Sequence, residues 1–179
     1  MSDPQLLLER LAGWHDKDAV VGSETESWQA YAEAKQLDDL SIMQPILDIL
    51  VENKEPALRK YAFEVLTFLL KNSQDKDLSS HLISSLRAED QQEESLYALL
   101  MGLWESEVLF EEGLDEVLFY VDDPRALIRN AAIRLVGRFQ AQLKEAKKAL
   151  QEVVENHYDE YDLRYAKQSL QAIEQRGQA

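Results

Sequence analysis

A period of 35 residues constrains this chain more than any other feature. Arg59, Arg129 and Arg164 each follow an aliphatic residue (Leu58, Ile128 and Leu163) and stand 70 and 35 residues apart. The absent member of the series falls at Glu94. Six residues after these four positions come Val65, Leu100, Leu135 and Leu170; two residues after them come Tyr61, Leu96, Ala131 and Ala166. The preceding segments keep the same step, with Leu47, Leu82 and Val117, then Val51, Leu86 and Val121. A repeat of this length is a supersecondary unit that cannot bury its apolar face alone, so neighbouring units must stack.

The unit is helical. Leu58, Tyr61, Ala62, Val65, Leu66 and Leu69 recur at the i, i+3, i+4, i+7 spacing of one apolar stripe. Ile128, Ala131, Ala132, Leu135, Val136 and Phe139 repeat it. Pro56 and Pro124 sit where a first helical turn tolerates a missing N–H. No segment alternates cleanly enough to be a strand. Residues 1–36 fall outside the period. Asp3-Pro4 starts a short helix to about Leu11, and Ser23-x-x-Glu26 reads as a capping box for a second helix to about Lys35. With Trp14, Trp28 and Tyr31, this segment reads as a cap on the first repeat, the other reading being a tryptophan-bearing binding surface.

Three segments resemble the second helix of HEAT repeats: ALRKYAFEVL (57–66), ALIRNAAIRLVGRF (126–139) and DLRYAKQSL (162–170). IMQPILDILVEN (42–53) resembles a HEAT first helix, with Pro45 near its middle. The resemblance covers roughly residues 37–176 as four repeats, about 37–72, 73–105, 106–140 and 141–176, leaving 177–179 as a tail. It implies an all-α fold, an α-α right-handed superhelix of about four helix pairs behind an N-terminal helical cap. It also implies that the recurring arginine bridges to acidic or carbonyl groups of a neighbouring repeat; an anion-binding ladder is the competing reading. The second repeat departs most, with Glu93-Glu94 in place of the aliphatic–Arg pair, and the fourth drifts at Lys167 and Gln171.

Charge narrows the function. The 179 residues carry 19 basic and 34 acidic side chains, a formal net charge of −15. Such an excess argues against nucleic-acid binding, which needs Lys and Arg on phosphates. Between Arg87 and Arg125 there are twelve acidic residues and no basic one, whereas the last 56 residues are net positive. Arg134, Arg138, Lys144, Lys147 and Lys148 make that end basic, facing either a phosphate or plain solvent. The acidic window is also apolar: Leu96–Trp104 (LYALLMGLW) surrounds its helix rather than lining a stripe. Such a helix is buried centrally or carries an exposed binding face. Leu99 and Trp104 are the expected exposed members.

Catalytic signals are weak. The chain has no cysteine, which rules out thiol catalysis and fits a reducing, cytoplasmic setting. His15, His81 and His157 are scattered; His157 beside Glu155, Asp159 and Glu160 reads as a polar turn before a metal site. There is no nucleophile elbow, zincin or P-loop pattern, no signal for a cofactor and no stretch long enough to span a bilayer. The expectation is a non-catalytic protein-binding scaffold or adaptor. Its candidate contact residues are Glu93, Glu94, Leu99, Trp104, Glu105, Glu107, Glu111, Glu112, Asp115 and Glu116, facing a basic protein partner. The alternatives are a small acidic inhibitor of immunity type neutralising a basic toxin or nuclease, and, among HEAT-like relatives, a phycobilin lyase or its accessory. An alkyl-base DNA glycosylase is disfavoured because a negative surface repels phosphate. A homodimer through the apolar middle repeats is left open.

Overall fold

The computed structural model describes residues 3–17, 22–156 and 159–177. Among these residues the chain is all helical: α1 (Pro4–Leu11), α2 (Glu26–Ala34), α3 (Met43–Glu52), α4 (Pro56–Ser73), α5 (Lys76–Ser84), α6 (Glu93–Glu105), α7 (Leu114–Leu118), α8 (Ala126–Val136), α9 (Leu143–Asn156) and α10 (Glu160–Arg176). Their starts follow local chemistry. Asp3, Asp75 and Asp159 accept backbone N–H groups at the ends of α1, α5 and α10, and Pro4 and Pro56 open α1 and α4. The cap of α2 is Thr25, which accepts the Trp28 N–H at 3.2 Å, and not Ser23, which lies in a short 3-10 turn. No helix among the described residues is long and apolar enough to cross a membrane.

The packing is sequential. α4 lies against α6, α6 against α8, and α8 against α10, while α3, α5, α7 and α9 each contact the longer helix that follows them. One apolar core runs from Leu7, Leu8 and Leu11 of α1 through Leu66, Leu99 and Leu135 to Ile173 of α10. α1 and α2 pack on each other and against α4. They bury Leu7, Leu8, Leu11, Ala30 and Ala34, while Trp14 and Trp28 stay 53% and 55% exposed. The contact surface of α1 and α2 is thus leucine and alanine, with the indoles left facing solvent.

The apolar surplus of the middle segment is absorbed in this row. α6 has helices on both sides, so Leu96, Leu99, Leu100 and Leu103 are all fully buried. The expectation that Leu99 is exposed is therefore wrong: α4 and α8 enclose it. Close approach is built into α6 and α8. A Cβ on Gly102 would lie 2.3 Å from the Thr67 hydroxyl, and one on Gly137 would lie 2.8 Å from that of Ser169. Thr67, Gly102 and Gly137 are themselves spaced by 35 residues. Small residues recur where neighbouring long helices touch, a sign of the period that aliphatic positions alone do not reveal.

Candidate functional site

The recurring arginine has a structural role at two of its three positions. At the start of α4, Arg59 is buried and holds Glu89 through both carboxylate oxygens, with the longer bond, from Nε, at 3.2 Å. Its Nη1 donates to the carbonyls of Leu50 and Asn53 where α3 ends. At the start of α8, Arg129 repeats the arrangement, reaching Asp162 at 2.9 Å, Asp159 at 3.2 Å and the Asp123 carbonyl at 2.8 Å. Each arginine thus ties the end of the preceding segment to an acid about 30 residues on. Glu94 stands 35 residues after Arg59, and there the arginine comes from further along the chain: Arg125 donates to the Asp90 carbonyl at 2.7 Å and to its carboxylate at 3.0 Å. Arg164 does not follow the pattern. It is exposed, donates to the Tyr165 hydroxyl at 2.8 Å, and stacks on Tyr161 and Tyr165.

These staples consume part of the acidic window. Of its twelve carboxylates, Glu89, Asp90, Glu116 and Asp123 pair with Arg59, Arg125 and Arg87, all from outside the acidic stretch. The Arg125 guanidinium beside Asp123 holds that carboxyl below its usual range, against a smaller opposing effect of burial. Glu116 is therefore partly neutralised. The other acidic candidates, Glu93, Glu94, Glu105, Glu107, Glu111, Glu112 and Asp115, are exposed. Glu112 accepts from the Ser80 hydroxyl at 2.8 Å, and Glu111 accepts from the Gln140 amide at 2.5 Å. They fall in two groups along the chain. Glu93 and Glu94 open α6 and Glu105 closes it, roughly 18 Å along the axis at 1.5 Å per residue, while Glu107, Glu111, Glu112 and Asp115 follow between there and the first turn of α7.

Trp104 belongs to neither acidic group. It is half-buried, and α8 covers its ring: the guanidinium of Arg134 lies 4.8 Å from the ring centre and that of Arg138 5.8 Å. Tyr165 of α10 closes the other side of Arg134 at 3.7 Å. The basic cluster read from the sequence therefore divides. Arg134 and Arg138 face a cleft bounded by α6, α8 and α10, whereas Lys144, Lys147 and Lys148 sit on α9, where Lys148 pairs with Glu152 at 3.7 Å. Burial works to raise the Tyr165 phenol, but hydrogen bonds from Arg164 and Arg134, with their charges, outweigh it and hold the phenol below its ordinary value.

A second cleft, between the N-terminal helices and α4, is lined by Trp28, Tyr31, Lys60, Tyr61 and Glu64. Burial raises the Glu64 carboxyl, the Lys60 charge opposes this, and the Glu105 charge adds to it. The described residues contain no group of three or more His, Asp or Glu side chains arranged to hold a metal ion. His157 lies outside the described residues.

No protein-family model, no curated protein and no solved structure matches this chain.

Proposed function

We propose that this chain is a HEAT-like helical-repeat module, about four helix pairs behind an N-terminal helical cap, that binds a basic protein segment and does no chemistry of its own. The repeat reading is supported by the matched contacts of Arg59 and Arg129 and by the close approaches at Gly102 and Gly137. The observation that carries the binding reading is the run from Glu105 to Asp115. There Glu105, Glu107, Glu111, Glu112 and Asp115 are exposed and none forms a salt bridge with a described Lys or Arg. A folded surface that leaves five carboxylates unneutralised attracts cations over several ångströms and repels other acidic surfaces. Leu109, 38% exposed in the same run, supplies an apolar contact.

The test replaces Glu107, Glu111, Glu112 and Asp115 by Lys, leaving Glu116 to Arg87. Wild type and variant are used to capture partners from the native host at low and high salt. The reading requires a protein held by the wild type at low salt, released at high salt and lost from the variant, with helicity by circular dichroism unchanged. Equal capture by wild type and variant refutes it.

A further inference from the structure

The cleft between α6, α8 and α10 concentrates positive charge in a protein whose net charge is −15. Arg134, Arg138 and Arg176 line it, and among the described residues no acidic side chain does. None of the three, nor Arg164 beside them, forms a salt bridge with a described carboxylate. Acids are not scarce nearby: Arg129, on the same helix as Arg134, is met by Asp159 and Asp162. The fold directs those acids to the staple and leaves Gln168, Ser169 and Ala172 facing the cleft. Burial, together with the Arg138 charge, pushes the Arg176 guanidinium below its ordinary value. Like charges held this close oppose folding unless something else compensates them.

The arginines are held in place. Arg134 is stacked between Trp104 and Tyr165. Arg176 donates to the carbonyls of Gly137 at 2.5 Å and Phe139 at 3.2 Å. Stacking on an aromatic face fixes the plane of a guanidinium and leaves its edge N–H groups free to donate. The cavity measures about 230 Å³, below the roughly 300–1,000 Å³ of sites for drug-sized ligands. It suits one compact anionic group with a few attached atoms. A carboxylate would offset a single charge, whereas a phosphate monoester brings about two and three strong acceptor oxygens. A long polyanion is disfavoured by the net charge of −15 on the whole chain.

We propose that this cleft binds the dianion of a phosphate monoester, with Arg134 and Arg138 donating to the phosphate oxygens and the ester group projecting through the open mouth. The monoester belongs either to a small metabolite or to a phosphorylated side chain, and the two are separated by experiment.

The full-length protein is titrated with phenyl phosphate, inorganic phosphate, benzoate, a phosphoserine peptide and a single-stranded oligonucleotide, followed by calorimetry. Phenyl phosphate is expected to saturate the protein and to bind at least tenfold more tightly than benzoate. Its affinity falls as pH drops below about 6, where the dianion takes up a proton. Arg138→Gln weakens binding at least tenfold. Arg134→Lys, which keeps the charge but loses the fork, weakens it less. Replacing Lys144, Lys147 and Lys148 by Gln changes nothing, since they lie on α9. Tighter binding of the peptide than of the free ester assigns the phosphate to a protein, and the reverse order assigns it to a metabolite; both support the site. Absence of saturation by every phosphate probe, undiminished binding by Arg138→Gln, or tighter binding of the oligonucleotide overturns it.

Discussion

Glu89→Leu tests the staple most directly. Arg59 is 7% exposed and Glu89 1%, so the pair is sheltered from solvent. Removing one member of a buried pair leaves a charge without compensation and costs about 3–5 kcal/mol. Domains of this kind are stable by about 5–15 kcal/mol, so the loss is a large share of the total. With a urea dependence of about 2 kcal/mol per molar, the midpoint should fall by roughly 1.5–2.5 M. The double variant Arg59→Met, Glu89→Leu replaces both charges by apolar side chains and should recover about 1–3 kcal/mol of that loss. Recovery is incomplete because the carbonyls of Leu50 and Asn53 then lose their donor, at about 1 kcal/mol for each hydrogen bond. Arg87–Glu116 is the control, at 45% and 38% side-chain exposure; Glu116→Leu should move the midpoint by less than about 0.5 M. Urea unfolding followed by circular dichroism reads all three. If Glu89→Leu shifts the midpoint no more than the control does, the guanidinium is hydrated and the staple is not what joins these units.

Three further outcomes follow from the packing. Gly102→Leu forces α4 and α6 apart at Thr67 and should cost about 1–3 kcal/mol, measurable in the same denaturation experiment; an unchanged midpoint would mean the two helices are not in contact there. Leu99→Ala should destabilise by about 2–5 kcal/mol without altering capture of a basic partner, because Leu99 is fully buried. Tyr120 is buried and donates to the Leu86 carbonyl at 3.0 Å, and burial pushes its phenol up to about 12. The folded state therefore holds a proton that the unfolded chain releases near pH 10. That stability is complete below pH 10 and lost as pH rises toward 12. Tyr120→Phe should remove this part of the alkaline loss, and a variant with an unaltered alkaline profile would refute the assignment.

Much of the helical layout is legible in the one-dimensional pattern because helix formation and capping are local. Apolar spacing marks α4 and α8, and Pro4 and Pro56 stand at the N-termini of α1 and α4. Local reading misplaced the cap of α2 because Ser23 and Thr25 carry the same hydroxyl, and only the geometry of the turn selects one. The candidate site was less legible. The twelve carboxylates of the acidic window look equivalent along the chain, yet three are matched by arginines about 30 residues away and a fourth, Asp123, by Arg125 two residues on. Trp104 is grouped with the acids by position and with arginines by contact. The recurrence of Thr67, Gly102 and Gly137 was present in the sequence as a signal of helix contact, hidden because small residues carry no hydrophobic weight.

The sequence by itself determined an all-helical chain with a 35-residue period and an uneven charge, since periodicity and composition depend only on residue order. Tertiary structure decided which charges remain available. Whether a carboxylate attracts a partner or neutralises an arginine depends on what stands within a few ångströms, because the interaction falls with distance and solvent screening. The same packing buried Leu99 between α4 and α8 and gathered Arg134, Arg138 and Arg176 into one cleft that no described acidic side chain lines.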